Sequence, residues 1–462
     1  MFKEKLFEEY ISKEKKSLIS GPFGSDISAK FFVDEGVPVI RGNNLSTGFV
    51  KFIDNGFAYI TEEKADELNA FAICDDIIFT AVGTLGQVGI IPEESKYKKY
   101  TISNKQIRVR LDTSKLNPLF AFYWFTSPWM VDSIKARNVG STVPLINLSI
   151  VRSLPVRIPE KINDQTSIVK VLSDLDTKIE LNNKINRELE AMAKTLYNYW
   201  FVQFDFPNEQ GKPYKSSGGK MVYNAELKRE IPEGWEVKLL GSEIEIQRGI
   251  SYTSEDINGE GIPMINLNSF NLNGTYKPDG VKSYSGKYTE KNILKSGDLL
   301  IAATDVTRNA DIIGRAILVP DYYSEDLVFS MDIAKISSNN IPSSFLMMLF
   351  NSIHYHNYIK WYATGTLVLH LNLDGVNRYR TEIPSNNLLK MFDKFYLPIA
   401  NRIYMTNKQN QQLTELRDWL LPMLMNGQVT VASTSSATDK LTEERLSMAA
   451  EPEGEYKLNC KQ

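Results

Sequence analysis

The 462-residue chain has only two cysteines, Cys74 and Cys460, and three histidines, His354, His356 and His370. Two thiols build neither a zinc cluster nor a disulfide framework, and a reducing cytoplasmic setting is the expectation. His354 and His356 stand two apart, which on a helix turns them to different faces and argues against a metal pair. An aromatic-rich helix surface, "HYHNYIKWY", accounts for them. No run of about 18 apolar residues occurs. The opening "MFKEKLFEEY" has no apolar stretch either, so neither a membrane span nor a standard export signal is expected. Charge of one sign is also missing: 53 Lys and Arg against 56 Asp and Glu leave −3. That excludes a uniformly cationic nucleic-acid binder but not a local basic face.

Catalytic signatures are absent as well. There is no Asn-Pro-Pro-aromatic motif of amino-methyltransferases, no phosphate loop ending in Gly-Lys-Ser/Thr, and no strand-borne carboxylate pair with lysine at nuclease spacing. The glycine-rich "VGTLGQVG" at 82–89 is followed by "IIPEES", a strand and turn. A nucleotide loop needs a helix there, so a tight turn is the better reading. No catalytic residue, metal ligand or cofactor is expected.

What the chain does have is internal similarity. "NKINREL" at 183–189 returns as "NKQNQQL" at 407–413, "GVPVIRGNN" at 36–44 matches "GIPMINLNS" at 261–269, and "LGQVGIIP" at 85–92 matches "IGRAILVP" at 313–320. "GSTVPLINL" at 140–148 matches "GTLVLHLNL" at 365–373, and the order is kept throughout. Several collinear matches read as two copies of one unit. Each copy opens with roughly 150 residues of mixed character, with β-rich runs such as "DDIIFTAVG" and "GDLLIAAT". Each then closes on a proline, Pro159 or Pro384, and continues into a long helical pattern.

In the first pattern Leu172, Leu175, Ile179, Leu189, Ala193, Leu196 and Trp200 step by three and four, with Asn182 and Asn186 in the polar middle. In the second the steps run Phe392, Ile399, Ile403, Leu413, Leu420 and Leu424, with Thr406 and Asn410 at the centre. Both are heptad seams. A helix of about 40 residues is about 60 Å long and must pack lengthwise on something, the other copy being the obvious candidate. Pro398 lies inside the second pattern, where a kink or a helix start is expected. Asn186 and Asn410 come close if the helices pack antiparallel in register, fixing it at some cost in stability; otherwise they face solvent or a partner.

Two stretches suit nucleic acid. "KYKKYTISNKQIRVR" at 96–110 holds six basic residues and no acid, and phosphate contact stands at even odds against plain surface charge. Arg41, Asn43 and Asn44 follow "VPVI", and Asn266 and Asn268 follow "IPMI". Arginine reads guanine and asparagine adenine, although for any single asparagine a turn cap is the commoner role. The two copies differ at these tips within a shared frame, which suits two different half-sites.

The series "SGPFGSDI", "GVPVIRGNNL", "GSTVPLINLSIVRSLPVRIP" and the helix ending "NKINRELEAMAKTLYNYWF" resembles the specificity subunit of type I restriction-modification systems. The second half, from "IPEGWEVKLLG" to "LRDWLLPMLMNGQV", looks like the same unit. The likeness spans about residues 15–430. The first half lacks the "Pro-x-Gly-Trp" opening found at 232–235, which leaves its start undefined.

The resemblance implies an α+β fold with two mixed α/β target-recognition domains, separated by two long antiparallel coiled-coil helices in a pseudo-twofold repeat. The expected boundaries are 1–160 and 233–385 for the recognition domains, 161–203 and 386–428 for the spacer helices, 204–232 for a linker and 429–462 for a disordered tail. The implied partners are double-stranded DNA, two modification (methyltransferase) subunits and, through them, restriction (nuclease/translocase) subunits.

By position the DNA-binding residues are Gly21, Ser25, Arg41, Asn43, Asn44, Thr84, Gln87, Ser141 and Thr142 in the first domain, and the basic stretch adds Lys98, Lys99 and Lys105 as phosphate contacts. In the second they are Asn266, Asn268, Thr304, Thr307, Arg308, Thr364 and Thr366. The helix seam is Leu175, Ile179, Asn186, Leu189, Leu196, Ile399, Ile403, Asn410, Leu413 and Leu420. A non-catalytic, sequence-specific DNA-binding subunit is the leading reading. The rivals are a coiled-coil scaffold with protein-binding heads and a free-standing DNA methyltransferase.

Overall fold

A computed structural model describes residues 2–257, 259–321, 323 and 325–431; most of the expected disordered tail, and Cys460 with it, lies outside the described residues. The chain divides into two compact units, residues 1–177 with 413 onward, and residues 178–412. Each long helix is therefore shared: the first unit holds 162–177 and 413–425, the second 178–197 and 386–412.

In the first unit a four-stranded antiparallel sheet runs in the order Leu18–Ser20, Gln106–Val109, Ile77–Thr80, Val88–Ile90. The strands Ile77–Thr80 and Gln106–Val109 are buried at every position. This is the pattern of a sheet covered on both faces. The helix Pro118–Thr126 starts at Asn117, whose side chain accepts from the amides of Leu119 and Phe120, and its buried Phe125 meets Phe7 and Phe79 edge to face. A second sheet orders Ala58–Ile60, Val37–Ile40, Tyr100–Ile102, Phe71–Ala72, with the middle pair parallel. The strand Phe2–Leu6 pairs antiparallel with Pro155–Pro159, so the first unit has a defined opening strand without the Pro-x-Gly-Trp motif.

In the second unit the four-stranded sheet runs Glu245–Arg248, Ile333–Ser337, Leu299–Ala302, Ala316–Leu318. A three-stranded sheet orders Lys282–Tyr284, Ile262–Ile265, Val328–Phe329, again with a parallel pair, and Glu236–Leu239 pairs with Arg380–Ile383. The four-stranded sheets thus agree in strand order and antiparallel sense, and each unit's other sheet holds a matching parallel pair, though the second unit lacks a partner for Phe71–Ala72 and adds a sheet of Thr304–Asp305, Leu369–Leu371 and Ala363–Thr364. One ion pair repeats as well. Asp76, just before Ile77–Thr80, binds Arg110 at 2.8 Å and Arg108 at 3.7 Å, and Asp298, just before Leu299–Ala302, binds Lys335 at 2.6 Å.

The stretch between the units' matching parts is ordered, unlike the plain connector its Gly, Pro and Ser content suggests. Met221–Asn224 and Arg229–Pro232 form a hairpin, and Asp205 accepts from the amide and hydroxyl of Ser216. The first long helix spans Ile162–Tyr197 and passes into a π-helical turn at Asn198–Val202. The second spans Asn386–Met425 and continues through exposed Pro398, so no helix starts at that proline. Gly427, with φ of +73°, follows its end.

Within the second unit the two helices run antiparallel. Asn182 donates to Asn410 at 2.8 Å and to Gln409 at 2.9 Å, Asn186 donates to Asn407 at 2.7 Å, and Tyr197 reaches Phe392. Within the first unit Arg417 pairs with Asp176 at 2.8 Å. The seam register differs from the expected one: Asn186 meets Asn407, and Asn410 meets Asn182 and Asn183.

Buried helix positions include Leu172, Ala193, Tyr197, Phe392, Tyr396, Ala400, Leu421 and Leu424. The expected seam residues Leu175, Ile179, Leu189, Leu196, Ile399, Ile403, Leu413 and Leu420 are only half-buried. Each helix packs on a unit's core as well as on its partner helix, so the apolar face is wider than an a/d stripe and is centred elsewhere. His356 and Tyr355 are likewise buried in the second unit rather than surface groups.

Candidate nucleic-acid interface

At one end of the first unit's sheet, backbone bonds tie five loops together. Gly21 N donates to Gln106 O at 2.9 Å, and Ser103 N to Ile40 O at 2.9 Å. Ala81 N donates to Lys105 O at 2.7 Å, Ile146 N to Ala81 O at 2.9 Å, and Gly83 N to Pro144 O at 2.9 Å. The loops that carry Gly21 and Ser25, Arg41 to Asn44, Thr84, Lys105, and Ser141 and Thr142 therefore converge.

The second unit repeats this lattice. Gly249 N donates to Ile333 O at 3.4 Å, Ser330 N to Ile265 O at 2.9 Å, Ala303 N to Asp332 O at 2.8 Å, and Leu371 N to Ala303 O at 2.9 Å. The loops with Asn266 and Asn268, with Thr304, Thr307 and Arg308, and with Thr364 and Thr366 converge there.

Within each cluster the candidate side chains divide into those that build the loops and those that face outward. Asn44 is fully buried and donates to Ile53 O and Asn55 O, while its oxygen accepts from Arg41 N. Gln87 accepts from Thr80 Oγ1 and donates to Gly42 O and Leu45 O. Asn266 is buried, donates to Gly280 O at 2.7 Å and accepts from Asn268 N. Thr304 is buried against Asp332, and Thr307 Oγ1 accepts from Asp311 N. For Asn44, Asn266 and Thr304 the sequence-based assignment as DNA contacts is corrected: their polar atoms are spent on the loop, as buried polar groups require, and half-buried Gln87 is engaged by the loop in the same way. Gly21 is a close-approach position, since a Cβ there would collide with Ser103 O.

Facing outward in the first unit are Ser25, Asn43, Thr84, Lys105, Ser141 and Thr142, with Arg41 half-exposed and donating to Gly56 O at 3.3 Å. In the second they are Asn268, Arg308, Thr364 and Thr366.

The basic stretch does not act as one patch. Arg108 is buried and Arg110 is held by Asp76, and both neutralise a carboxylate that is itself only 1 % exposed. Burial pushes the Arg108 guanidinium's pKa down, with Asp76 opposing, whereas the Asp76 hydrogen bond pushes that of Arg110 up. Lys99 pairs with Glu62 at 3.3 Å and Asp66 at 3.5 Å and lies over the Phe71 ring. Lys98 and Lys99 precede the strand Tyr100–Ile102, and Lys105 follows it, so about 10 Å of strand separates them from the loop cluster. Only Lys105 among them stands with the loops.

Two exposed positions at the same point of the lattice were not among the sequence-based candidates: Asn104 in the first unit and Met331 in the second. The alignment of "ISNKQI" with "FSMDIA" carries that signal. Among the described residues no His, Cys, Asp and Glu cluster suits a metal, and no helix is long and apolar enough to cross a membrane.

Residues 25–191 match the family model described as type I restriction modification DNA specificity domain. The MjaIX specificity subunit of a type I restriction enzyme from Methanocaldococcus jannaschii is 26% identical over 407 residues, covering 86% of this chain and 87% of that one. The HindI specificity subunit from Haemophilus influenzae is 23% identical over 385 residues, covering 71% and 81%. The crystal structure of a type I restriction-modification S subunit from M. genitalium superposes with a TM-score of 0.58 at 15% identity, over 92% of this chain and 96% of that one, and shares the fold. With this order of sheets, loops and long helices, the chain is similar over most of its length to the specificity subunits of type I restriction-modification systems.

Proposed function

We propose that this chain is the non-catalytic subunit that gives a type I restriction-modification complex its DNA target, with each unit reading one half of a split sequence. The observation that carries this is the pair of loop clusters. The same four backbone bonds hold both, while the outward residues differ: Asn104 stands where the second unit has Met331, and Thr142 where it has Leu367, and exposed Lys105 is replaced by Asp332, whose carboxylate accepts from Thr304 and Ser330. A fixed frame with exchanged tips gives two readers of different sequence, since base edges are distinguished by side-chain donors, acceptors and apolar groups. Backbone contacts set position and salt dependence, and tips set sequence. The duplication itself is inferred from the matched strand order and the repeated Asp76 and Asp298 ion pairs.

The two long helices serve as the spacer between half-sites and as the dock for two modification subunits, through which restriction subunits join. The helices leave large apolar side chains uncovered: Leu181 and Met192 on the first, Phe395, Met405 and Trp419 on the second, each at least half exposed. Uncovered apolar groups of this number mark an interaction surface.

The test is equilibrium binding of the chain, with and without its modification subunits, to random and selected duplexes, alongside a methyl-transfer assay of the chain alone. Sequence-selective binding in the complex and no methyl transfer by the chain alone support the reading. Methyl transfer by the isolated chain, or a complex without sequence preference, contradicts it.

A further inference from the structure

One exposed side chain has no account in the fold. Leu367 is 89 % exposed, at the tip of the turn between the paired strands Ala363–Thr364 and Leu369–Leu371. The turn is rigidly built. Gly365 has φ of +130°, and a Cβ on it would collide with Val368 O, so only glycine fits. Strand Thr304–Asp305 pairs with the exit strand, whose Leu371 is buried, and Leu371 N donates to Ala303 O at 2.9 Å. The turn is thereby fixed to the loop cluster of the second unit, with Leu367 held outward.

The first unit has a turn at the corresponding place, without the positive φ. Gly140 sits where a Cβ would collide with Val143 O, and Asn138 accepts from Gly140 N at 2.9 Å and from Leu145 N at 2.8 Å. The residue at the position of Leu367 is Thr142, which is exposed and polar. One unit thus presents a hydroxyl and the other an isobutyl group at one point of one frame. Leaving a leucine in water forgoes the gain of burying it, and nothing within the second unit covers it.

We propose that Leu367 is a specificity-determining residue that packs on the 5-methyl group of a thymine in the half-site read by the second unit. In the major groove, that methyl is the apolar group on a base edge that hydrogen bonding does not read. The inference rests on the DNA-reading function proposed above and deepens it.

The test uses the complex with its modification subunits and the duplex identified from the methylated motif. Each thymine of the second unit's half-site is replaced in turn by deoxyuridine, which removes only the methyl. One replacement should weaken binding about fourfold, the worth of one methyl group. That same replacement should have no effect on a Leu367→Ala complex, whose affinity for the thymine duplex is already lowered by a similar factor or more. Because Leu367 is exposed, Leu367→Ala should melt with the parent protein, and binding to unrelated duplexes should not change.

The proposal is overturned if no deoxyuridine position matters, if the penalty persists in Leu367→Ala, or if the half-site contains no thymine. A rise in 2-aminopurine fluorescence that depends on Leu367 also overturns it, by showing a side chain wedged between bases. If the complex selects no sequence at all, it is the DNA-reading function that fails, and this outcome is distinct from the others.

Discussion

Asn186 donates from Nδ2 to Oδ1 of Asn407 at 2.7 Å, and its own Oδ1 is buried without a hydrogen-bond partner among the described residues. With the Asn182, Asn183 and Asn410 bonds it makes an amide ladder at the polar middle of the helix interface. An unsatisfied buried oxygen costs about 1–3 kcal/mol. A polar residue in a coiled-coil seam buys register at the expense of stability. The double variant Asn186→Leu, Asn407→Leu should therefore melt at the same or a higher temperature, while the complex loses its single spacer length. A lower melting point with an unchanged spacer would refute the ladder's role in register.

Inserting one heptad into both long helices should lengthen the recognised spacer and leave both half-sites unchanged. Methylated-motif sequencing reads this directly, and an unaltered spacer would refute the helices as a ruler.

Arg417 links three groups of the first unit. It pairs with Asp176 at 2.8 Å, its guanidinium lies 4.2 Å from the centre of the Phe49 ring, and Asp176 also accepts from Tyr123 Oη at 2.5 Å. Both charged side chains are only 12 % exposed. Removing one member of such a pair strands the other, so Arg417→Ala should cost about 3–5 kcal/mol in denaturant unfolding. Asp176→Asn, which keeps an acceptor for Tyr123, should cost less. No loss in Asp176→Asn, with the full loss in Arg417→Ala, would show that Arg417 acts through packing alone.

Lys105 and the Lys98, Lys99 pair make a paired prediction on salt dependence. Lys105→Ala should reduce the slope of log affinity against log salt by about 0.9, the effect of one lost phosphate contact. Lys98→Ala with Lys99→Ala should leave the slope nearly unchanged, because Lys99 is engaged by Glu62 and Asp66 and both lie beyond the strand Tyr100–Ile102. The reverse result would move the DNA face to the other end of that strand.

The two long helices were legible in the sequence, because apolar periodicity reports local geometry. The roles of Asn44, Gln87 and Asn266 were not. An amide that reads a base and one that ties a loop are the same residue type, and only the position of Ile53, Gly42 or Gly280 separates them. Arg108 and Arg110 read as a free basic run because their partner Asp76 arrives through sheet pairing, from a strand distant in sequence. The seam was off-centre for a similar reason: Tyr197 meets Phe345 of the unit's core as well as Phe392 of the other helix, a second contact that heptad spacing does not encode.

His356 gives the second unit a pH response. Burial, with Arg315 and Lys360 nearby, pushes its pKa from the usual 6.5 down to about 4, and its Nδ1 has no partner among the described residues. The unfolded chain therefore binds this proton more readily than the folded one. Its contribution is complete above about pH 6.5 and is lost as pH falls toward 4. Between pH 6.5 and 5, His356→Gln should lose less stability than the parent chain, by up to about 1.4 kcal/mol per pH unit. Parallel pH dependences would show that His356 is protonated without cost.

The most direct test of the central claim is methylated-base sequencing of cells carrying the intact system, compared with cells in which Arg308, Thr364 and Thr366 are replaced by alanine. A split motif in which only one half relaxes or changes, at constant spacer, is the predicted result. A contiguous motif, or alteration of both halves together, would contradict the account of two independent readers on one frame.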